Sequence, residues 1–142
     1  MGKKKAGSAA ALLATSPCPC GSGRTYSTCC EPLHRGAPAA TPEALMRSRY
    51  SAYALGLDAY VLSSWATETR PAELFATGEA RPKWFSLKVE ATSEVGDMGT
   101  VTFLAKARTA MGVLSIHEHS HFRREHRPEG DFWVYVDGDM VE

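Results

Sequence analysis

All four cysteines of this 142-residue chain lie in one short stretch, between Ser16 and Cys30. They stand as Cys18-x-Cys20, then eight residues, then the adjacent pair Cys29-Cys30. Tetrahedral zinc with metal–sulfur bonds of about 2.3 Å places its sulfur ligands about 3.8 Å apart. Both a C-x-C pair and two neighbouring residues can span that separation without strain. The spacing therefore predicts that the four thiols share one metal ion, with zinc as the favoured ion.

The residues between the cysteines support a metal site. Gly21 and Gly23 accept positive φ and let backbone amides approach a thiolate closely. Arg24 and these amides can offset the negative charge of four thiolates on one divalent cation. Free thiols are one alternative, and two disulfides are another, because the number of cysteines is even. The disulfides are disfavoured because a bridge between Cys29 and Cys30 closes a strained ring, and because a chain with 44% hydrophobic residues needs no covalent staples.

This cysteine stretch resembles a known motif. The residues Cys18-Pro19-Cys20-Gly21-Ser22-Gly23, followed by Tyr26 and Cys29-Cys30, are similar to the SEC-C zinc motif, best known from the tail of the bacterial translocation motor SecA. That motif often ends in Cys-His, whereas the last ligand here would be Cys30. Three later segments resemble the YchJ family of small bacterial proteins, and they are residues 32–34, 44–53 and 135–139. The resemblance implies a zinc site and a cone-shaped domain similar to nuclear transport factor 2, but hardly any activity.

Composition and chain order predict three regions. Residues 1–15 are predicted to be a disordered basic tail, because their apolar run is too short for a secretory signal. Residues 16–36 form the predicted zinc knuckle. Residues 37–142, with the remaining apolar residues, form one globular domain. No stretch approaches the length of a membrane span, so we predict a cytoplasmic protein.

The N-terminal half of this domain is predicted to be helical. Three helices are expected, and their residues are about 42–55, 59–65 and 73–75. Thr41 is the predicted N-cap of the first helix, Pro42 its first residue, and Gly56 follows its end. Asp58 is the predicted cap of the second helix, and Pro71 opens the third.

From Trp84 onward the hydrophobic period changes to two, which is typical of strands. Four strands are predicted, near residues 84–90, 101–106, 114–124 and 132–137. Turn sequences separate them, at residues 94–97, 110–112 and 128–131. Helices followed by an antiparallel meander predict an α+β fold, with the helices packed on one face of a curved sheet.

The histidines do not predict a second metal site. His117, His119 and His121 share one face of the third predicted strand with Arg123. A metal on this row is one hypothesis, but a single strand supplies all three rings and no acidic ligand is evident. We favour a solvated or partner-facing row, which includes the possibility of a homodimer. His34, four residues beyond Cys30, is interpreted as a packing residue.

The other face of the same strand carries Glu118 and Ser120 among apolar residues. A buried carboxylate needs a partner or a raised pKa. Arg49, which lies in the apolar stripe of the first helix, is the predicted partner, and this structural role is favoured. The alternative is a pocket in which Glu118 is a general base and Tyr50 or Tyr53 donates hydrogen bonds to a developing oxyanion.

The charge distribution gives no strong nucleic-acid footprint. Residues 1–36 hold five basic residues and one acidic residue, and the remainder of the chain balances that excess. We predict a zinc-binding accessory or adaptor protein that contacts a protein or ribonucleoprotein through the knuckle. The alternative is a small-molecule lyase, isomerase or hydrolase that uses the pocket, although an enzyme is the less favoured interpretation.

Overall fold

The computed structural model describes residues 13–142. The first twelve residues of the predicted tail lie outside the described residues, and residues 13–15 are helical. After these residues the structure has a 3-10 turn at Tyr26–Thr28, three α-helices and four strands. These are α1 (Glu31–His34), α2 (Pro42–Leu55), α3 (Asp58–Ser63), β1 (Lys83–Val95), β2 (Met98–Thr109), β3 (Gly112–Arg127) and β4 (Gly130–Met140). The predicted α+β fold is confirmed.

Helix α2 begins and ends where the sequence predicts. The Thr41 hydroxyl accepts a hydrogen bond from the amide of Ala44 at 3.1 Å, and Pro42 occupies the first turn, where its missing N–H costs nothing. Gly56 follows the helix with φ 76°, in the left-handed region that glycine adopts without a Cβ penalty. Among the described residues, no helix is long and apolar enough to cross a membrane.

The four strands form one antiparallel sheet in the order β1-β2-β3-β4, and each pair is joined by a tight turn at a predicted position. Helix α2 packs against β1, β2 and β4. Buried apolar side chains from both layers meet in the core, and the largest contributors are Leu45, Met46, Val101, Phe122 and Trp133.

Strand β1 departs from strict alternation. Its pairing with β2 shifts between Trp84 and Ser86 and again between Val89 and Ala91. A bulge adds one residue to a strand and so changes which side chains reach the core. As a result Phe85 is 46% exposed, whereas Trp84 packs beside the rings of Tyr50 and Tyr53.

Two helix predictions are wrong. Asp58 is the first residue of α3 and not its cap, and the helix ends at Ser63, short of the predicted residue 65. The Asp58 carboxylate instead accepts two hydrogen bonds from Arg81, at 2.7 and 2.6 Å. Residues 71–82 contain no helix. The Arg81 guanidinium lies over the ring of Phe75 at 4.6 Å, so this segment is ordered by side-chain contacts rather than by helical hydrogen bonds.

Gly99 generates a test of how closely the sheet approaches α2. A Cβ built at Gly99 would overlap the ring of Pro42. We expect Gly99→Ala to lower the free energy of unfolding by about 1–3 kcal/mol, as overpacking does. In a Pro42→Ala background the same substitution should cost much less, because the ring atoms are gone. Urea unfolding of the four proteins measures this coupling, and equal costs in both backgrounds would contradict the contact.

Candidate functional site

The four cysteine sulfurs form one compact cluster. All four Sγ atoms lie within 4.8 Å of one another. Cys20 Sγ is 3.6 Å from Cys29 Sγ, which is 3.9 Å from Cys30 Sγ. These separations match the roughly 3.8 Å between sulfurs on tetrahedral zinc and exceed a sulfur–sulfur bond of about 2.05 Å. Cys18 and the other three are free cysteines, so the disulfide alternative is wrong and the cluster suits metal binding.

Backbone pairing closes the loop that carries the cysteines. The Cys18 amide donates to the carbonyl of Arg24 at 2.8 Å, and the Tyr26 amide donates to Ser16 at 3.0 Å. Beyond the Cys18–Arg24 rung the chain reverses at Gly21, whose φ is 77° and whose amide returns to the Cys18 carbonyl. Cys18 and Cys20 therefore lie in one short hairpin-like turn, and Cys29 and Cys30 follow the 3-10 turn after it.

Burial and mutual hydrogen bonding affect the ionisation of the cysteine thiols. Cys18, Cys20 and Cys30 are buried. Hydrogen bonding from Cys30 lowers the pKa of Cys20 to about 4, whereas burial raises the pKa of Cys18 to about 11. The pKa of Cys30 is also raised, first by its hydrogen bond to Cys20. The thiols thus stabilise one thiolate at the expense of its neighbours, and ionising all four requires a bound positive charge.

Two polar side chains lie close to the sulfur of Cys29. The Ser22 hydroxyl lies 3.1 Å from Cys29 Sγ, and Arg24 Nη2 lies 3.8 Å from the same sulfur. Cys29 is the least buried of the four cysteines. Donors of this kind stabilise ligating thiolates, so the contribution predicted for Arg24 has a structural basis.

His34 joins the cysteine loop to α2 and is not part of the sulfur cluster. Its Nε2 lies 2.8 Å from the carbonyl of Ser48, so Nε2 carries the proton, and Nδ1 accepts from the Tyr26 hydroxyl at 2.7 Å. Burial lowers the pKa of His34 from its ordinary value of 6.5. The ring also packs against Tyr26 and Tyr60. This is the packing role that the sequence predicts.

Arg47 provides a second connection that sequence reasoning missed. Its Nη1 donates to the carbonyl of Cys20 at 2.9 Å, and its Nε donates to Glu43 at 2.9 Å. Leu55 and Leu87 pack against the buried cysteines. The cysteine loop is therefore seated on α2 and β1. The only signal for Arg47 was its position one turn after Glu43, which predicts an ion pair but no contact with the loop.

A cavity of about 270 Å³ lies between α2 and the sheet. The structure brings the five residues of the predicted pocket together in its wall, and they are Arg49, Tyr50, Tyr53, Glu118 and Ser120. Aromatic and apolar side chains complete the lining, among them Trp65, Trp84, Phe103, Ile116 and Tyr135.

The predicted ion pair between Arg49 and Glu118 is wrong. Arg49, which is 6% exposed, directs Nη1 to the carbonyl of Val61 and the hydroxyl of Ser64, both at 2.7 Å. Its guanidinium lies over two neighbouring rings whose centroids are 4.8 and 4.6 Å away, those of Trp65 and Tyr135. Dipoles and aromatic faces therefore stabilise this charge in place of a carboxylate, although desolvation lowers its pKa.

Glu118 has hydroxyl partners instead. Its Oε2 accepts from Ser120 Oγ at 2.6 Å and from the Tyr135 hydroxyl at 2.9 Å. The side chain lies directly over Gly138, where any Cβ would overlap it. Burial, followed by the nearby Glu118 charge, raises the pKa of Tyr135. Strand alternation places Tyr135 on the core face, but its pairing with Phe122 depends on a register shift that the sequence does not show.

The histidine row makes side-chain contacts of its own. His117 contacts Glu90 at 2.7 Å, His119 contacts the Thr102 hydroxyl at 2.7 Å, and His121 contacts Asp137 at 2.9 Å. Within residues 13–142, the cysteines are the only group of His, Cys, Asp or Glu side chains placed to hold a metal. The hypothesis of a metal on the histidine row is therefore not supported.

Two protein-family models match this chain. Residues 41–138 match the family model described as "YchJ, middle NTF2-like domain", and residues 15–32 match the SEC-C motif. The chain belongs to the YchJ family. This YchJ-family chain is 42% identical to a UPF0225 protein of Cupriavidus pinatubonensis over 130 residues, covering 89% of this chain and 90% of that protein. A UPF0225 protein of Xanthomonas oryzae is 41% identical over 127 residues, covering 88% and 95%.

Two solved structures share this architecture. The solution structure of a SEC-C motif containing protein from Rhodopseudomonas palustris has a TM-score of 0.74 and 40% identity, covering 89% of the YchJ-family chain and 100% of that protein. The crystal structure of a SEC-C motif containing protein from Psychrobacter arcticus also has a TM-score of 0.74, with 25% identity and coverage of 92% and 86%. The combination of a SEC-C motif and an NTF2-like domain, inferred from the sequence, is confirmed.

Arg47 gives a test of the contact between the cysteine loop and α2. Hydrogen bonds from charged donors contribute about 1.5–3 kcal/mol, and the partial exposure of Arg47 favours the lower end. We expect Arg47→Gln to lower the free energy of unfolding of the metal-loaded protein by about 1.5 kcal/mol. Arg35→Gln is the matched control, because Arg35 forms an exposed pair with Glu31 at 3.5 Å. Similar losses in both variants, measured by urea unfolding, would contradict the contact.

Two histidines should titrate on opposite sides of the ordinary pKa of 6.5. Burial lowers the pKa of His34, whereas hydrogen bonds to Asp97 and Asp131 raise that of His126. Protonation of the unfolded chain therefore makes His34 reduce stability as pH falls below 6.5. The stabilisation from His126 is complete below 6.5 and is lost as pH rises through its raised pKa. NMR titration of the ring protons measures both values, and a reversed order would contradict these environments.

Proposed function

We propose that the cysteine cluster holds one structural zinc ion and that the SEC-C knuckle, residues 16–36, is the docking module of an adaptor protein. The observation that carries this proposal is the closed sulfur cluster, in which four Sγ atoms lie within 4.8 Å of one another. Four thiolates fill every position of a tetrahedral ion. A catalytic zinc site keeps one position for water or substrate, so a site of this kind supports structure and not chemistry.

The donor set is the reason for preferring zinc. Soft thiolate ligands select zinc, copper(I) or iron, and a tetrahedral arrangement of four sulfurs suits zinc or iron. Closed four-cysteine sites with short ligand spacings are typical of structural zinc. Cys18, Cys20, Cys29 and Cys30 would hold the ion, which would supply the covalent framework that so small a loop cannot obtain from a hydrophobic core. Four free thiols also fit a reducing compartment, which supports the cytoplasm as the location.

The knuckle presents an exposed, polar surface. Its exposed residues, in and beside the 3-10 turn, are Gly23, Arg24, Thr25, Ser27 and Thr28. Small side chains leave the backbone accessible, and the guanidinium of Arg24 adds a directional, positively charged contact. A partner that offers hydrogen-bond acceptors and negative charge, on a protein or a ribonucleoprotein, fits such a surface. The SEC-C tail of the translocation motor is an analogy for this role, since a shared motif does not by itself carry function.

The alternative function, an enzyme working in the cavity, receives less support. Glu118 borders the cavity, but hydroxyls of Ser120 and Tyr135 already occupy its Oε2. The arrangement therefore favours binding of a small molecule over proton abstraction from one.

Affinity capture with paired variants tests the adaptor role. Tagged wild-type protein is compared with Cys29→Ser/Cys30→Ser, which removes two ligands, and with Ser27→Arg, which enlarges an exposed side chain. We expect partner capture to be lost in both variants, because one disorders the knuckle and the other obstructs its surface. Ser27→Arg should keep its metal content, which elemental analysis measures.

Met111→Arg is the matched control for this experiment. Met111, in the turn between β2 and β3, is 96% exposed and does not line a cavity with knuckle residues. Its variant should capture the same partners as the wild type. Partner profiles that are identical in all four proteins would rule out docking through the knuckle.

A further inference from the structure

We propose that the cavity between α2 and the sheet is a binding site for a small, neutral, planar molecule that donates one hydroxyl or N–H hydrogen bond to Oε1 of Glu118. This inference rests on the cavity alone and does not depend on the metal centre or on the adaptor role. Three features of the cavity carry it: a carboxylate oxygen without a partner, an internal balance of charge, and aromatic walls.

The carboxylate oxygen defines the hydrogen-bonding end of the ligand. Oε2 of Glu118 accepts from Ser120 and Tyr135, whereas Oε1 has no hydrogen-bond partner within residues 13–142. An ionised carboxylate has about four acceptor positions, so Oε1 of the half-buried Glu118 side chain is available to a donor on a bound molecule. Gly138 has no Cβ and so leaves room for the carboxylate, which lies against it. A ligand donor satisfies Oε1 where the side chain already stands.

The balance of charge favours a neutral ligand. Arg49 and Glu118 both border the cavity, and Tyr135 links them. The guanidinium of Arg49 lies over the Tyr135 ring at 4.6 Å, and the hydroxyl of that ring donates to Glu118 at 2.9 Å. One positive and one negative charge are thus already fixed at the cavity. A charged ligand would leave one charge uncompensated in a site of low dielectric, which is costly.

Aromatic walls set the shape of the ligand. Trp84 lies beside Tyr50 and Tyr53, with ring centroids 6.0 and 6.5 Å away. Phe103 and Ile116 border the same space. Rings pack well against aromatic side chains in offset or edge-to-face arrangements. The volume of about 270 Å³ is at the lower end of ligand sites, which span about 300–1,000 Å³, so a single-ring molecule fits.

Two probes of almost the same shape test the proposal. 4-Methylphenol carries one hydroxyl donor, and toluene carries none. In NMR titrations of the full, metal-loaded chain, we expect 4-methylphenol to bind at least about tenfold more tightly than toluene, as one hydrogen bond to a charged acceptor provides. In Glu118→Gln the partner of the phenol is a neutral amide, whose hydrogen bond contributes less than one to a charged group, so this preference should fall at least about threefold.

Matched variants complete the design. Glu90→Gln removes a carboxylate that contacts His117 and lies outside the cavity wall, so the wild-type preference should remain. Ala105→Leu adds volume to the buried wall and should abolish binding of both probes. It also keeps the proposal testable if Glu118→Gln does not fold. The proposal is overturned if wild type shows no saturable binding of 4-methylphenol, if it binds both probes equally, or if Ala105→Leu leaves binding intact.

Discussion

The structure depends on the confinement of four sulfur atoms to a space less than 5 Å across. The loop that carries them has little secondary structure of its own: one short 3-10 turn and two backbone rungs, with the buried ring of Tyr26 packed among them. Burial raises the pKa of Cys18, and the hydrogen bond to Cys20 raises that of Cys30. The metal ion that we propose would bind as the loop folds, because ligation favours the thiolate form of each cysteine. The contacts that α2 and β1 make with the loop therefore depend on the same cysteine cluster.

Helix α2 contacts three parts of the protein at once: the hydrophobic core, the cysteine loop and the cavity. Leu45 and Met46 enter the hydrophobic core. Arg47 and Ser48 contact the cysteine loop directly or through His34. Arg49 and the two tyrosines after it line the cavity. This division explains why a helix rich in arginine, serine and tyrosine is nevertheless largely buried, and it places the cysteine cluster and the cavity on faces of one element.

Some of this organisation follows from local sequence alone. The bounds of α2 were predictable because Thr41, Pro42 and Gly56 act on the backbone within one turn of where they stand. The cysteine cluster was predictable for the same reason, since its ligands are close in sequence. Turn residues likewise located the three hairpins of the sheet.

Features that depend on distant contacts were not predictable. The bulges of β1 turn Phe85 outward, and no property of Phe85 predicts these bulges. Asp58 has the chemistry of a helix cap, but Arg81, far away in sequence, offers it a charged double hydrogen bond. Arg49 and Glu118 invite pairing by charge. Rings and hydroxyls nevertheless stabilise each of them separately, which only the packed structure reveals.

The central claim, that one cation gathers the four cysteine sulfurs, is tested most directly by X-ray absorption spectroscopy of the purified protein together with its metal content. The account predicts one zinc ion per chain with four sulfur neighbours at about 2.3 Å. Protein that contains no stoichiometric metal, or an ion with nitrogen or oxygen in place of any of the four sulfurs, would contradict it.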